Sequence, residues 1–167
     1  MRWSRSSTSN SREPAHLSGD EMRRKSVTLG EVELFEKVRP QLEGFCHELR
    51  ELAKKKPDGG INKFKLQIIN EKLDEANLLL TGKFKPFKDF GRFDQDSLPT
   101  NSDVVLILSQ YLECLETWRS AHVIKVDYSW YWNTPGDLRI TTGVPKRSHL
   151  DEEEEDGEGE DEGEEEG

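Results

Sequence analysis

Apolar residues recur at helical spacing in three stretches of this chain and at strand spacing in a fourth. In the first, large apolar side chains fall at Phe35, Val38, Leu42, Phe45, Leu49 and Leu52. Steps of three and four line one face of a helix, predicted over 28–55. Thr28 and Glu31 have the spacing of a capping box, in which two orphan backbone donors are satisfied reciprocally. Pro40 interrupts the stripe. It removes one backbone bond and predicts a kink near Glu36, because the stripe continues in phase beyond it. Lys54, Lys55 and Lys56 stand at the negative end of the helix dipole. Pro57-Asp58-Gly59-Gly60 then turns the chain.

A second helix is predicted over 62–81, with Asn62 as N-cap and Gly82 closing it. Its stripe is Leu66, Ile69, Leu73, Ala76 and Leu80, widened by Ile68 and Leu79. A third is predicted over 100–123, opened by Thr100 and Asp103 at capping-box spacing. Its inward positions are Val104, Leu108, Tyr111, Leu115 and Trp118, with Val105, Ile107 and Leu112 beside them. Residues 83–99 form a connector in which Phe84, Phe87, Phe90 and Phe93 recur every third residue. Pro86, Gly91 and Pro99 argue against one continuous helix there.

From residue 123 the period changes to two. Val126, Tyr128, Trp130 and Trp132 are expected on one face of a strand, residues 133–137 as the turn, and Leu138, Ile140, Thr142 and Val144 on the return strand. The predicted fold is therefore mainly α. An antiparallel three-helix bundle over 27–124 is followed by an aromatic β-hairpin over 125–145. A heptad-like seam also suits a dimeric coiled coil, but Pro40 and the short connections favour a chain folded back on itself.

Composition sharpens the ends. Charged residues (35%) outnumber hydrophobic ones (32%), too few core-formers for the whole chain to be ordered. The net charge of −10 is an average of unlike parts. Residues 151–167 hold thirteen acids and no base, so residues 1–150 carry 24 bases against 21 acids, a surplus of three. A Ser/Arg-rich leader (1–26) and an acidic tail (146–167) are expected to be disordered. Two cysteines, Cys46 and Cys114, are too few for a disulfide scaffold and suit a reducing compartment. No apolar run approaches the roughly 20 residues of a membrane span. The N-terminus lacks the apolar core of a secretory signal. A cytoplasmic location without membrane contact is expected.

The sequence carries no nucleotide-binding glycine motif and no Cys or His pair at metal-ligand spacing. Asp94, Asp96 and Asp103 fail the calcium-loop pattern, with Leu98 in a ligand position. No catalytic residue, cofactor or metal is expected.

Three surfaces remain. Tyr128, Trp130, Tyr131 and Trp132 are the residue types that dominate protein–protein contacts, since they bury large rigid areas and keep a polar handle. The connector sets Lys83, Lys85, Lys88 and Arg92 among its phenylalanines, as nucleic-acid binders that stack bases and follow phosphates do. The competing expectation, which carries more weight, is that the phenylalanines plug one end of the bundle. The acidic tail steers partners, shields the basic body or only keeps the chain in solution. Ser26, after Arg23-Arg24-Lys25, and Ser148, before the acidic run, are candidate phosphorylation sites. The expected function is that of a small non-catalytic interaction or adaptor protein. The alternative is a nucleic-acid-associated factor restrained by its own tail.

Overall fold

The computed structural model describes residues 25–136 and 138–146. The expectations for residues 1–24, for Asp137 in the turn, and for Ser148 and the acidic tail lie outside the described residues.

Three helices and a small antiparallel sheet make up the fold: α1 (Leu29–Lys55), α2 (Lys63–Leu79), α3 (Asn101–Ala121), β1 (Val123–Val126), β2 (Ser129–Trp132) and β3 (Thr141–Thr142). Each helix starts where its side chains satisfy the orphan backbone donors. Thr28 Oγ1 accepts from the Glu31 N–H while the Glu31 carboxylate accepts from the Thr28 N–H. Thr100 and Asp103 repeat the arrangement on α3. Asn62 caps α2 by accepting from the Lys65 N–H at 2.9 Å. Pro40 lies inside α1 without ending it. Val38 and Leu42, buried on either side, hold that turn to the core.

The core joins Phe35, Val38, Leu42 and Cys46 of α1 to Leu66, Ile69, Leu73 and Ala76 of α2 and to Val104, Leu108, Tyr111 and Leu115 of α3. Lys37 of α1 meets Glu75 of α2 at 3.1 Å, and Arg39 of α1 meets Glu116 of α3 at 3.4 Å. The start of α1 thus lies beside the ends of both other helices. The starts of α2 and α3 lie together: the Ile61 N–H donates to the Pro99 carbonyl at 3.0 Å, and Gly60 bridges Thr100. This differs from a bundle with every neighbour antiparallel. The connector is long enough to carry the chain back along α2, so α3 starts where α2 started. Asn77 Nδ2 donates to Gly91 O, Asn70 Nδ2 to Phe93 O, and Lys63 meets Asp96, marking that return path step by step.

The sheet also departs from expectation. Its order is β1-β2-β3, both pairs antiparallel, with Val126 opposite Ser129 and Val123 opposite Trp132. The segment expected to be one strand is two, joined by a turn at Asp127-Tyr128. Asp127 takes a left-handed φ of 52°, which Asp tolerates better than most residues. Facing residues across a hairpin share a sheet face. Val126 therefore lies with Ser129, Ile124 and Tyr131, on the opposite face from Trp130 and Trp132. No helix among the described residues is long and apolar enough to cross a membrane.

Candidate functional site

The four hairpin aromatics do not form one surface. Trp132 is buried, with its ring 5.1 Å from Phe35 and 5.8 Å from Trp118, and its Nε1–H donates to Glu36 Oε1 at 3.3 Å. It is a core residue, which corrects its assignment as a partner contact. Trp130 shares the inner face and packs against the core while partly exposed. Tyr131 lies on the outer face with Arg139 5.9 Å from its ring. Tyr128 occupies the turn and is 99% exposed. Tyr128, Tyr131 and the exposed part of Trp130 remain to offer a partner.

The connector divides in a similar way. Phe93 is buried, and Phe84, Phe87 and Phe90 pack against the core. Phe90 meets Phe87, Phe93 and Tyr111 edge-on. A stacking platform needs open ring faces, and these rings are engaged with each other. The cations stay exposed: Lys83, Lys85, Lys88 and Arg92. Lys85 donates to the Lys88 carbonyl at 2.9 Å, and Arg92 lies 3.7 Å from Asp74.

A third surface lies between α1 and α2, near the turn that joins them. Phe45, Leu49 and Leu52 of α1 face Phe64, Ile68 and Ile69 of α2 across a groove of about 240 Å³. Phe64 is 72% exposed and Leu52 40%. The cause is local. In α1 the adjacent Phe45 and Cys46 compete for one core position, and Cys46 takes it, buried with its Sγ 3.7 Å from Ser109 Oγ. Phe45 is displaced to the groove. In α2 Phe64 lies two residues before the first buried position, Leu66, and faces outward. Small-molecule sites run to roughly 300–1,000 Å³. This groove is smaller and fits one or two inserted side chains.

Its rim is basic. Lys65 lines it together with Glu48. Lys55 ends α1 and Lys56 is its C-cap, three and four residues beyond Leu52. Lys54 is held by Glu51 at 2.6 Å and Lys63 by Asp96 at 2.7 Å. Lys55, Lys56 and Lys65 make no salt bridge among the described residues.

A buried carboxylate marks a fourth region. Glu116 is paired with Arg119 and with Arg39 and accepts from the Lys146 N–H at 3.3 Å. Arg119 also donates to the carbonyls of Gly143 and Val144, and Ser120 to that of Lys146. The cluster straps residues 142–146 to α3. Removing either partner of such a pair would strand a buried charge, so its role is structural.

Burial pushes the Cys114 thiol above its usual pKa, away from the reactive thiolate. His47 is exposed, while His122 is buried at the end of α3 with Nδ1 bonded to the Trp118 carbonyl. Among the described residues no three His, Cys, Asp or Glu side chains are grouped to hold a metal ion. Ser26 is exposed beside the start of α1.

No family model, curated protein or solved structure matches this chain.

Proposed function

We propose that this chain is a non-catalytic helical interaction protein, with its helices arranged as a bundle that presents the α1–α2 groove to a partner. The occupant is a segment of another protein carrying two or three large apolar anchors flanked by acids. The observation behind this reading is one juxtaposition: exposed Phe64 and Leu52 beside Lys65, with Lys55 and Lys56 at the end of α1, none of the three lysines in a salt bridge among the described residues. Apolar anchors would fill the groove, and acids would meet its rim. Tyr128 and Tyr131 supply a second, smaller contact at the hairpin. The acids of residues 151–167 compete for the same lysines and tune the affinity, acting as an electrostatic modulator.

The test is selection of displayed random peptides against the full chain. Enriched peptides are expected to show apolar residues at helical spacing with Asp or Glu beside them. Phe64→Ser is expected to weaken them at least tenfold, and truncation after Leu150 to tighten them. Peptides that bind the Phe64→Ser chain as well as the parent would overturn the reading.

The exposed cations Lys83, Lys85, Lys88 and Arg92 favour a second reading, a nucleic-acid-associated factor that contacts phosphates without stacking bases. It predicts affinity that falls steeply with salt and rises when the tail is removed. Binding to single- and double-stranded nucleic acid at low and physiological salt separates the two readings.

A further inference from the structure

A cavity of about 370 Å³ lies where the chain enters α1, lined by Lys25, Ser26, Glu31, Lys83 and His122 among others. The entering segment is fixed beside it. Val27 is buried, and its N–H donates to the Asn133 carbonyl at 2.8 Å. Ser26, the preceding residue, is exposed and open to modification. It stands two residues before the N-cap of α1, where the positive end of the helix dipole favours an anion.

His122 gives the cavity its chemistry. The residue is only 6% exposed, clamped between Trp118, at 4.5 Å between ring centroids, and Phe84, at 5.7 Å. Nδ1 lies 2.6 Å from the Trp118 carbonyl oxygen, an acceptor, so Nδ1 carries the proton. Nε2 then holds a lone pair and has no hydrogen-bond partner among the described residues. The charges facing the ring are Lys25 from the entering segment, Lys83 from the connector and Glu31 from α1. Glu31 Oε2 accepts from the Thr28 N–H and Oγ1 at 2.8 Å each. Two cations and one protonatable nitrogen thus face a single carboxylate.

We propose that Ser26 is a phosphorylation site and that its phosphate is received in this cavity by Lys83 and His122. A protein kinase transfers the terminal phosphoryl group of a nucleoside triphosphate. The bond from Ser26 Oγ to phosphorus forms as the bond to the diphosphate leaving group breaks, and the hydroxyl proton passes to a base on the kinase. The phosphate carries between one and two negative charges near neutral pH. It draws a proton onto Nε2, and the resulting N–H donates to a phosphate oxygen. Modification thereby ties the segment entering α1 to the junction of α3 and β1. The proposal is independent of the groove.

The experiment compares the full chain carrying phosphoserine at position 26 with the unmodified chain, following the His122 ring by NMR as pH is varied. Phosphoserine is expected to raise the His122 pKa by at least one unit, tenfold in protonation. Lys83→Gln, a change at an exposed side chain, is expected to reduce that rise. Phosphopeptide mapping of the protein from its native cells is expected to find Ser26 modified. An unchanged His122 titration in the phosphoserine chain would overturn the docking. Mapping that covers Ser26 and never finds phosphate would overturn the site.

Discussion

Asn70 satisfies both backbone polar groups of Phe93, accepting from its N–H and donating to its carbonyl, each at 2.9 Å. Asn70 is fully buried on α2, and Phe93 is the most buried phenylalanine of the connector. One amide replaces the pairing that a neighbouring strand would otherwise supply. Asn70→Leu keeps the volume and loses both bonds. Each buried group left unsatisfied costs about 1–3 kcal/mol, so a loss of about 3 kcal/mol is expected in chemical denaturation. A loss under about 1 kcal/mol would mean the connector does not depend on this amide.

Phe64 and Leu66 are two residues apart on α2 and have opposite fates. Leu66 is fully buried, and Leu66→Ala is expected to cost about 2–5 kcal/mol. Phe64→Ser is expected to change stability by less than about 0.5 kcal/mol, as exposed substitutions usually do. Thermal melts of the two variants check the register of the helix. Equal destabilisation would place Phe64 in the core and remove the groove.

Much of this architecture is legible in the sequence, and particular residues show where legibility stops. Both capping boxes and the stripes of α2 and α3 follow from local spacing, because capping and burial along one face are local rules. The hairpin does not. Its turn at Asp127-Tyr128 contains neither Gly nor Pro, and its Asp reads as an ordinary polar position of an alternating strand. A two-residue turn also exchanges odd and even faces, so alternation alone puts Val126 on the wrong side of Trp130. The groove was hidden because Phe45 and Cys46 both fit the α1 stripe, and only the packed helices decide which one enters the core. The fate of the connector depended on Asn70 and Asn77, whose long-range bonds leave no periodic trace. Phe64, off the stripe of its own helix, was a sign in the sequence of an exposed apolar surface.

Leu98 adopts a left-handed φ of 45° just before Pro99 and is 52% exposed. A β-carbon in this region costs roughly 1–2 kcal/mol, and the half-exposed side chain recovers little of it by burial. Glycine removes that strain but adds freedom to the unfolded chain, worth about 0.5–1 kcal/mol. Leu98→Gly is therefore expected to stabilise the protein by about 0.5–1 kcal/mol in thermal or chemical denaturation. Destabilisation by Leu98→Gly would show that the apolar side chain contributes more than its backbone strain costs.

His122 sets a pH window distinct from those of the carboxylates. Burial beneath Trp118 and Phe84 pushes its pKa below the usual value, partly opposed by the Nδ1 bond to the Trp118 carbonyl. In the window between the lowered folded value and the unfolded value of about 6.5, the unfolded chain binds more protons. Stability therefore falls as pH drops through that window and is fully regained above it. Glu75 and Asp103 act lower, in separate ranges. Hydrogen bonds from Lys72 and from Thr100, respectively, hold their pKa values below normal, so their stabilisation fades only as pH falls below about 4. Denaturation curves between pH 7.5 and 5 are expected to lose stability in the parent chain and to flatten in His122→Gln. Equal slopes in the two chains would mean that His122 binds its proton alike in the folded and unfolded chains, and that burial beneath Trp118 and Phe84 does not favour the neutral ring.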